Sequence, residues 1–473
     1  MLPMASRAVN LTLLFSAQLS PNARIIMRDD QQWETLVEQR WTVFAPPTYL
    51  GAIIPATEQD VATIVQVASA NDIPFMATGG GHGASVTSGT LYNGIELDLS
   101  NFKSVEVDVA NSQVTIGGST TFQQLYEPLY AAGKEIPTAS GPCVGVVGAT
   151  LGGGVTRMEG IHGMLLDSLL SVNLVTASGD LITVSATENS DLFWAIRGAG
   201  SSFGIVTSAT YKVYDLTNDG QVFNADFEFA AAQNKSVFEA LASYNDDMPA
   251  NLAIVQSVSI NSTIRAPSIT ISTVFYGPKD EGLAAIAPFL AIPNIRSNIS
   301  VVPWNVLPSV TGFGTESATC VKNLRLEFYG QSLRIVNADT FGTIFNQLGD
   351  LYTQNLGANP AWTVQRFSNA GSLLTSDDQT AYPYRNLQAH VFMYAVIADS
   401  TLDSTMTSFL ENARDELNAT SGNTQLSVYV NYAHGDEGAE AWYSSRKLSQ
   451  LKTLKKKWDP EGLFNFTNPV PLI

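Results

Sequence analysis

Residues 74–89 read PFMATGGGHGASVTSG, an apolar run that opens into three glycines, a histidine and a fourth glycine. The stretch "IPFMAT" predicts a short buried strand. His82 then stands in a loop at a strand's carboxyl end, where α/β folds hold ligands. Gly79, Gly80, Gly81 and Gly83 carry no Cβ, so their N–H groups can turn toward one point and approach it closely. That is the make-up of an anion cradle, and a diphosphate suits it. The alternative is a sharp turn whose histidine is satisfied by a main-chain carbonyl.

Outward from this loop the chain alternates small strands with helices. "PATEQDVATIVQVASAND" (55–72) opens with Thr57-x-x-Asp60, the pattern of a capping box, and carries Val61, Ile64, Val65 and Ala68 at helical spacing. "IELDLS", "VEVDV" and "QVTIGG" alternate with period two, and a helix is expected over 121–132, stopped by Gly133. Two more glycine-rich segments follow: "SGPCVGVVGATLGGGVTRMEG" (140–160), with Gly141, Gly145, Gly148, Gly152 and Gly153, and "DLFWAIRGAGSSFGIVTSATYKVY" (191–214), with Gly204, Ile205 and Val206. Neither GxxxxGK[ST] nor a GxGxxG opening a helix after the first strand occurs, so the standard nucleotide loops are absent.

From about residue 215 the texture changes. Long strands such as "APSITISTVFYG" are separated by helices at "DEGLAAIAPFLA", "ADTFGTIFNQLGDLY" and "STMTSFLENARDEL", which predicts an antiparallel sheet with helices on one side. "LSVYVNYAHGDE" reads as a strand and precedes a helix over 438–457 and the tail "WDPEGLFNFTNPVPLI". Strand alternation puts Tyr429 and Asn431 on one face and Tyr432 on the other. The basic cluster Lys452 to Lys457 is expected to be a solvated helix end.

Composition sets limits. The chain has 473 residues, 45% hydrophobic and 14% charged, enough to bury a large core and divide into domains. A net charge of −18 disfavours nucleic acid or an anionic membrane as partner. No apolar run is long enough for a transmembrane helix. Two cysteines, Cys143 and Cys320, allow one disulfide at most, and four scattered histidines lack metal-ligand spacing, so no metal is expected. Arg7 before "AVNLTLLFSA" reads equally as a marginal secretory segment or a first amphipathic helix, and together with the sequons at Asn234, Asn261 and Asn298 it leaves secreted and intracellular locations equally open.

"ATGGGHG", "VGATLGGG", "GDLITVSATENSDLFWAIRGAGSSFGIVTSATY", "YVNY" and "KKKWDPEGLF" together resemble the berberine-bridge-enzyme-like branch of the vanillyl-alcohol-oxidase superfamily of FAD-linked oxidoreductases. The resemblance spans roughly residues 35–215 and 425–473. It implies an α+β fold: a two-subdomain FAD-binding domain of the PCMH type (1–215), a substrate domain built on an antiparallel sheet flanked by helices (216–425), and a C-terminal segment (426–473) that returns to the FAD domain.

The same resemblance implies that FAD is bonded through its 8α-methyl to His82 and lined by Gly79, Gly80, Gly81, Gly83, Ala84, Gly141, Cys143, Gly145, Gly148, Gly152, Gly153, Gly204, Ile205, Val206 and Asn431. Many relatives use a cysteine for a second flavin bond. Its place here falls on Gly141, with Cys143 two residues later, so Cys143 is either a second link or a small buried residue. Cys320 is expected in the core. Tyr429 is the expected catalytic base, and Gln365, Arg366 and Tyr432 the expected substrate contacts. No acid stands where sugar-oxidising relatives pair one with the tyrosine, which counts against an oligosaccharide substrate. His390 and His434 receive no catalytic assignment. "TAYPYRN" (380–386) resembles a segment near the pocket.

The implied activity is oxidation of a small alcohol, phenol or secondary metabolite, with electrons passed to O2 to give H2O2, by a monomeric enzyme. A dehydrogenase and a flavin-scaffolded oxidative cyclase are the alternatives.

Overall fold

The computed structural model describes residues 10–261, 263, 265–354 and 357–472; Arg7, with the rest of residues 1–9, lies outside them. Strands β1 (Arg24–Met27), β2 (Tyr49–Ile54), β3 (Phe75–Thr78) and β4 (Gly94–Asp98) form a sheet in the order β1-β2-β4-β3, parallel except for β1. The crossover helix Glu58–Ala70 begins at a complete capping box, with Thr57 accepting from Asp60 N–H and the Asp60 side chain accepting from Thr57 N–H. Its buried Val61, Ile64, Val65 and Ala68 share a core with Phe75, Ile95 and Leu97, and the short helix Leu11–Phe15 buries Leu11 and Phe15 there.

A second sheet is antiparallel. It contains β5 (Val105–Asp108), β6 (Gln113–Gly117), β8 (Leu169–Val175), β9 (Leu181–Ser185) and β10 (Ile205–Lys212) in the order β5-β6-β10-β8-β9, while β7 (Lys134–Glu135) pairs with β11 (Tyr214–Asp215). The helix expected over 121–132 runs Gln123–Ala131, and Gly133 follows at φ +70°.

The third sheet has seven antiparallel strands: β12 (Gln221–Ala230), β13 (Leu252–Asn261), β14 (Ala266–Phe275), β15 (Arg296–Pro303), β16 (Leu326–Leu333), β17 (Ala358–Phe367) and β18 (Ala389–Ile397), in the order β15-β12-β14-β13-β17-β18-β16. Period-two alternation divides its faces. Along β18, Val391, Met393 and Ala395 are buried while Phe392, Tyr394 and Val396 are half-buried. The first set packs with Phe238, Phe341, Phe345 and Leu410 of helices Asn234–Ala242, Ala338–Gln354 and Asp403–Thr420. The other face carries Asp226, Ser272, Val255, Gln365, His390 and Ser332 in one register row.

β15 and β16 lie at opposite edges, so residues 304–325 must cross the whole sheet. After the third sheet the chain returns to the first two. Ser85 Oγ donates to Asn468 Oδ1 (2.7 Å), Val86 N–H to the His434 carbonyl (2.8 Å), and Asn468 Nδ2 to the Val430 carbonyl (2.9 Å). The helix Ala439–Trp458 corrects one expectation. Lys455 is fully buried, because its place in the helical period faces inward, and its ammonium donates to Asp459 (2.6 Å) and the Ser202 and Phe464 carbonyls (2.8 Å each). Only Lys456 and Lys457 of the cluster are exposed.

Replacing Thr57 by Ala removes one half of the capping box and is expected to lower stability by about 1 kcal/mol, read as a lower thermal midpoint.

Candidate active site

The glycine loop leaves β3 and meets other main chain at close range. A Cβ on Gly80 would sit 2.7 Å from Gly145 nitrogen, and one on Gly79 would sit 3.0 Å from the Gly118 carbonyl oxygen. Gly118 itself lies against the Val206 carbonyl, which ties Gly204, Ile205 and Val206 at the start of β10 to the same seam. Ser119 Oγ donates to the Gly79 carbonyl at 3.1 Å. Among the described residues, no acceptor takes a hydrogen bond from the N–H groups of Gly79, Gly80, Gly81, His82, Gly83 or Ala84. A Cβ at Gly148 would meet nothing within 4 Å, and at Gly83 only an Arg40 nitrogen at 3.9 Å. Free donors beside open backbone fit a dinucleotide's diphosphate. The residues present therefore fit FAD, with Arg40 and Lys322 adding positive charge: Arg40 Nη2 donates to the Gly83 carbonyl (3.1 Å) and Lys322 Nζ to that of Gly80 (2.6 Å).

His82 stacks on Trp41 with ring centroids 4.9 Å apart, and its Nε2 is 3.5 Å from Cys143 Sγ. Burial, reinforced by the charge of Lys322, pushes its imidazole down to about 4, while the Thr319 carbonyl favours the protonated ring. The ring is therefore neutral at physiological pH and has a lone pair on one nitrogen. Cys143 and Cys320 form a disulfide and both are half-buried. This corrects the expectation of a core Cys320, which no local pattern could reveal because its partner lies 177 residues away.

"YVNY" is not a strand. Val430–Tyr432 form one 3₁₀ turn with Tyr429 at its N-cap, closed by Tyr432 N–H donating to the Tyr429 carbonyl at 2.7 Å. The main chain of Tyr432 lies where a Cβ of Gly330 would be, so this turn seats on β16 only because residue 330 is glycine. Tyr429 is buried, and its hydroxyl accepts from Gly154 N–H (3.0 Å) and Asn431 Nδ2 (2.8 Å). Burial pushes it up to about 12, against the lowering by those two donors. Asn431 also donates to the Ala149 carbonyl (3.0 Å) and covers Gly152. Gly153, at φ +142°, lies against the Tyr382 ring, which in turn meets Tyr429 edge-on at 6.2 Å. This brings part of "TAYPYRN" to the site.

Tyr432 is half-buried and donates its hydroxyl to Gln365 Oε1 at 2.6 Å; Gln365 Nε2 donates to Ser140 Oγ, also at 2.6 Å. Burial, with Tyr429 beside it, raises the Tyr432 pKa. Arg366 is not at this site. Being next in β17, it points to the helix-packed face, fully buried, where Nη2 donates to Asn245 Oδ1 (3.2 Å) and Gln388 Oε1 (3.4 Å). Ala84, Phe328, Phe392, Tyr394 and Trp41 form an aromatic and apolar wall with Tyr432.

His390, which the sequence left without a catalytic assignment, lies on the site face with its ring 5.5 Å from that of Tyr429 and Nδ1 2.9 Å from Ser332 Oγ; Ser332 Oγ also accepts from Tyr429 N–H. His434 stacks on Tyr329 in the core. Arg40, Trp41, Gly118, Ser119, Ser140, Lys322, Phe328, His390, Phe392 and Tyr394 are among the residues that sequence reasoning missed. Only the paired glycines after "QVTI" gave any local signal.

A loop of free amides with a neutral imidazole is joined through Trp41 and Phe328 to Tyr432, an arrangement that fits a flavin-dependent oxidoreductase. Comparison with known proteins agrees. A family model for an FAD binding domain matches residues 49–185, and one described as berberine and berberine like matches residues 428–471. FAD-linked oxidoreductase azaL of Aspergillus niger is 43% identical over 94% of this chain and 95% of its own. FAD-linked oxidoreductase tazG of Aspergillus terreus is 43% identical over 99% and 96%. The chain belongs to the berberine-bridge-enzyme-like family of FAD-linked oxidoreductases. Among solved structures, BBE-like 1 of Physcomitrella patens superposes with a TM-score of 0.85 at 23% identity, covering 98% of this chain and 100% of that one. A glucooligosaccharide oxidase of Acremonium strictum gives 0.84 at 20% identity, covering 98% of each.

Burial pushes the His390 imidazole down from its ordinary 6.5 to about 3. The folded protein keeps it neutral, whereas the unfolded chain protonates it near 6.5, so this contribution to stability is present above that pH and is lost as pH falls toward 3. The thermal midpoint of His390→Gln is expected to fall less steeply than wild type on acidification through that range.

Proposed function

We propose that the protein is an oxidase of a phenolic or enolic small molecule, with the flavin bonded to His82 and Tyr432, rather than Tyr429, meeting the substrate's hydroxyl. The observation that carries this reading is the chain from Tyr432 through Gln365 to Ser140. Gln365 Oε1 can only accept, so the Tyr432 proton is directed at it and the phenol's lone pairs are left to receive a substrate O–H. Tyr429 has no such freedom, since its oxygen already takes two donors in a buried position.

Bound flavin would supply the redox chemistry, accepting a hydride from substrate carbon and passing electrons to dioxygen. The chain's own residues bind and orient. The free N–H groups of Gly79 to Ala84 would seat the diphosphate, and Asn431 with Gly152 would border the ring. Tyr432 holds the substrate oxygen, while the wall of Phe328, Phe392, Tyr394 and Trp41 excludes water and stacks on a flat substrate. Neither tyrosine is a phenolate at neutral pH, since burial raises both. A site without a strong base suits a substrate whose hydroxyl is itself acidic, which favours phenols and enols over sugar alcohols. The relatives from Aspergillus are named only as FAD-linked oxidoreductases. Precedent for dioxygen comes from neighbours of the same fold titled oxidases, among them 6-hydroxy-D-nicotine oxidase of Arthrobacter nicotinovorans.

Anaerobic mixing of the holoenzyme with a phenolic substrate should bleach the flavin band. Tyr432→Phe is expected to slow that bleaching by about 10²-fold or more, and Tyr429→Phe by much less, with flavin content unchanged in both; equal effects would remove the distinction between them. One peroxide per substrate consumed in air identifies the oxidase, and turnover without peroxide identifies a dehydrogenase.

A further inference from the structure

Residues 304–325 cross from β15 to β16 as a strap fastened along its length. Trp304 packs on Tyr126 with centroids 4.8 Å apart, and the N–H groups of Gly312 and Phe313 donate to the buried Asp226 carboxylate at 3.0 and 3.1 Å. Arg157, itself buried, pairs with Glu316, and Cys320 is bonded to Cys143. Lys322 Nζ then donates to the carbonyls of Gly80 (2.6 Å) and Gln39 (3.0 Å), and Leu324 N–H to that of Trp41 (3.1 Å). The last three attachments surround His82. Cys143 Sγ is 3.5 Å from its Nε2, Trp41 stacks on its ring, and Gly80 stands two residues before it.

We propose that Cys143 is committed to this cross-link and not to the flavin, and that the disulfide latches the 304–325 strap over the edge at which His82 holds the cofactor. The inference rests on the His82 reading above and settles the number of flavin bonds at one. A sulfur already joined to carbon and to a second sulfur has no bond left for a flavin carbon. The solved glucooligosaccharide oxidase described as carrying a 6-S-cysteinyl, 8α-N1-histidyl FAD has two such bonds. At the position where the resemblance places the second attachment, this chain has Gly141, whose Cβ would meet Val144 at 3.0 Å and the strap's Thr319 Oγ1 at 3.5 Å. The strap thus occupies the side from which a second tether would come.

The test uses purified holoprotein, alkylated without reductant, digested and mapped by mass. The expected map has no alkylated cysteine, one cross-linked peptide containing Cys143 and Cys320, and flavin mass only on the peptide with His82. Flavin on the Cys143 peptide, or an alkylated Cys143 in untreated protein, would overturn the proposal. Flavin absent from the His82 peptide beside an intact cross-link would instead remove the attachment read under the proposed function. The latch is tested separately by limited proteolysis within 304–325. Reduction by a trialkylphosphine gives two thiols and the phosphine oxide, and should speed cleavage about tenfold. Cys320→Ser should do the same, with flavin retained on His82 in both. Unchanged cleavage in both would sink the latch.

Discussion

Two bare stretches of main chain in contact hold this site together. Gly80 and Gly145 approach so closely that no side chain fits between them, and that approach joins the loop after β3 to the start of helix Val146–Gly152. The joint sets the direction of the free N–H groups between residues 79 and 84 and places His82 at their rim. On the far end of the same helix, Gly152 and Gly153 let Asn431 and Tyr382 come down onto the backbone. The glycine loop and the tyrosine turn thus both rest on one short glycine-bounded helix. Its glycines are needed for contact distance more than for unusual torsions, since Gly80 and Gly145 have ordinary backbone angles and only Gly153 among these takes a positive φ.

Much of the structure around the glycine loop was legible because its signals are local. A strand opening into glycines, a capping box at Thr57 and a helix stopped at Gly133 each depend on residues a few places apart, and the structure has them where the spacing put them. The tyrosine turn depends on distant partners. "VYVNY" has the alternation of a strand, but the opening at Gly330 and the Tyr432-to-Tyr429 hydrogen bond turn it into a 3₁₀ loop. The adjacent Gln365 and Arg366 looked equally available in sequence, yet strand pleating sends one to the site and the other into the helix layer. The Cys143–Cys320 bond and the Lys322 anchor leave no local trace, because each is defined by a residue far along the chain, whereas buried Lys455 pairs with Asp459 only four places on.

The site's electrostatics contrast with the rest of the molecule. A chain of net charge −18 surrounds a pocket whose polar groups are an amide, hydroxyls and neutral imidazoles. Burial raises the tyrosines and lowers His82 and His390, so each group is driven to its uncharged form. The cations Arg40 and Lys322 gather instead at the glycine loop, where Lys322 also pairs with Glu38 at 3.2 Å. Charged side chains thus collect at the glycine loop, and the tyrosine end of the candidate site is neutral and aromatic.

The return of the last segment to the first sheets bears on how the protein is made. Ser85 receives its partner from Asn468, Ser202 its ammonium from Lys455, and the tyrosine turn is laid on β16 from residues beyond 428. Since domains emerge and fold from the N-terminus during synthesis, the glycine loop leaves the ribosome long before the groups that complete its surroundings. Closure of the loop's surroundings is therefore a late step of folding, since Ser85 must wait for a partner 383 residues further along the chain.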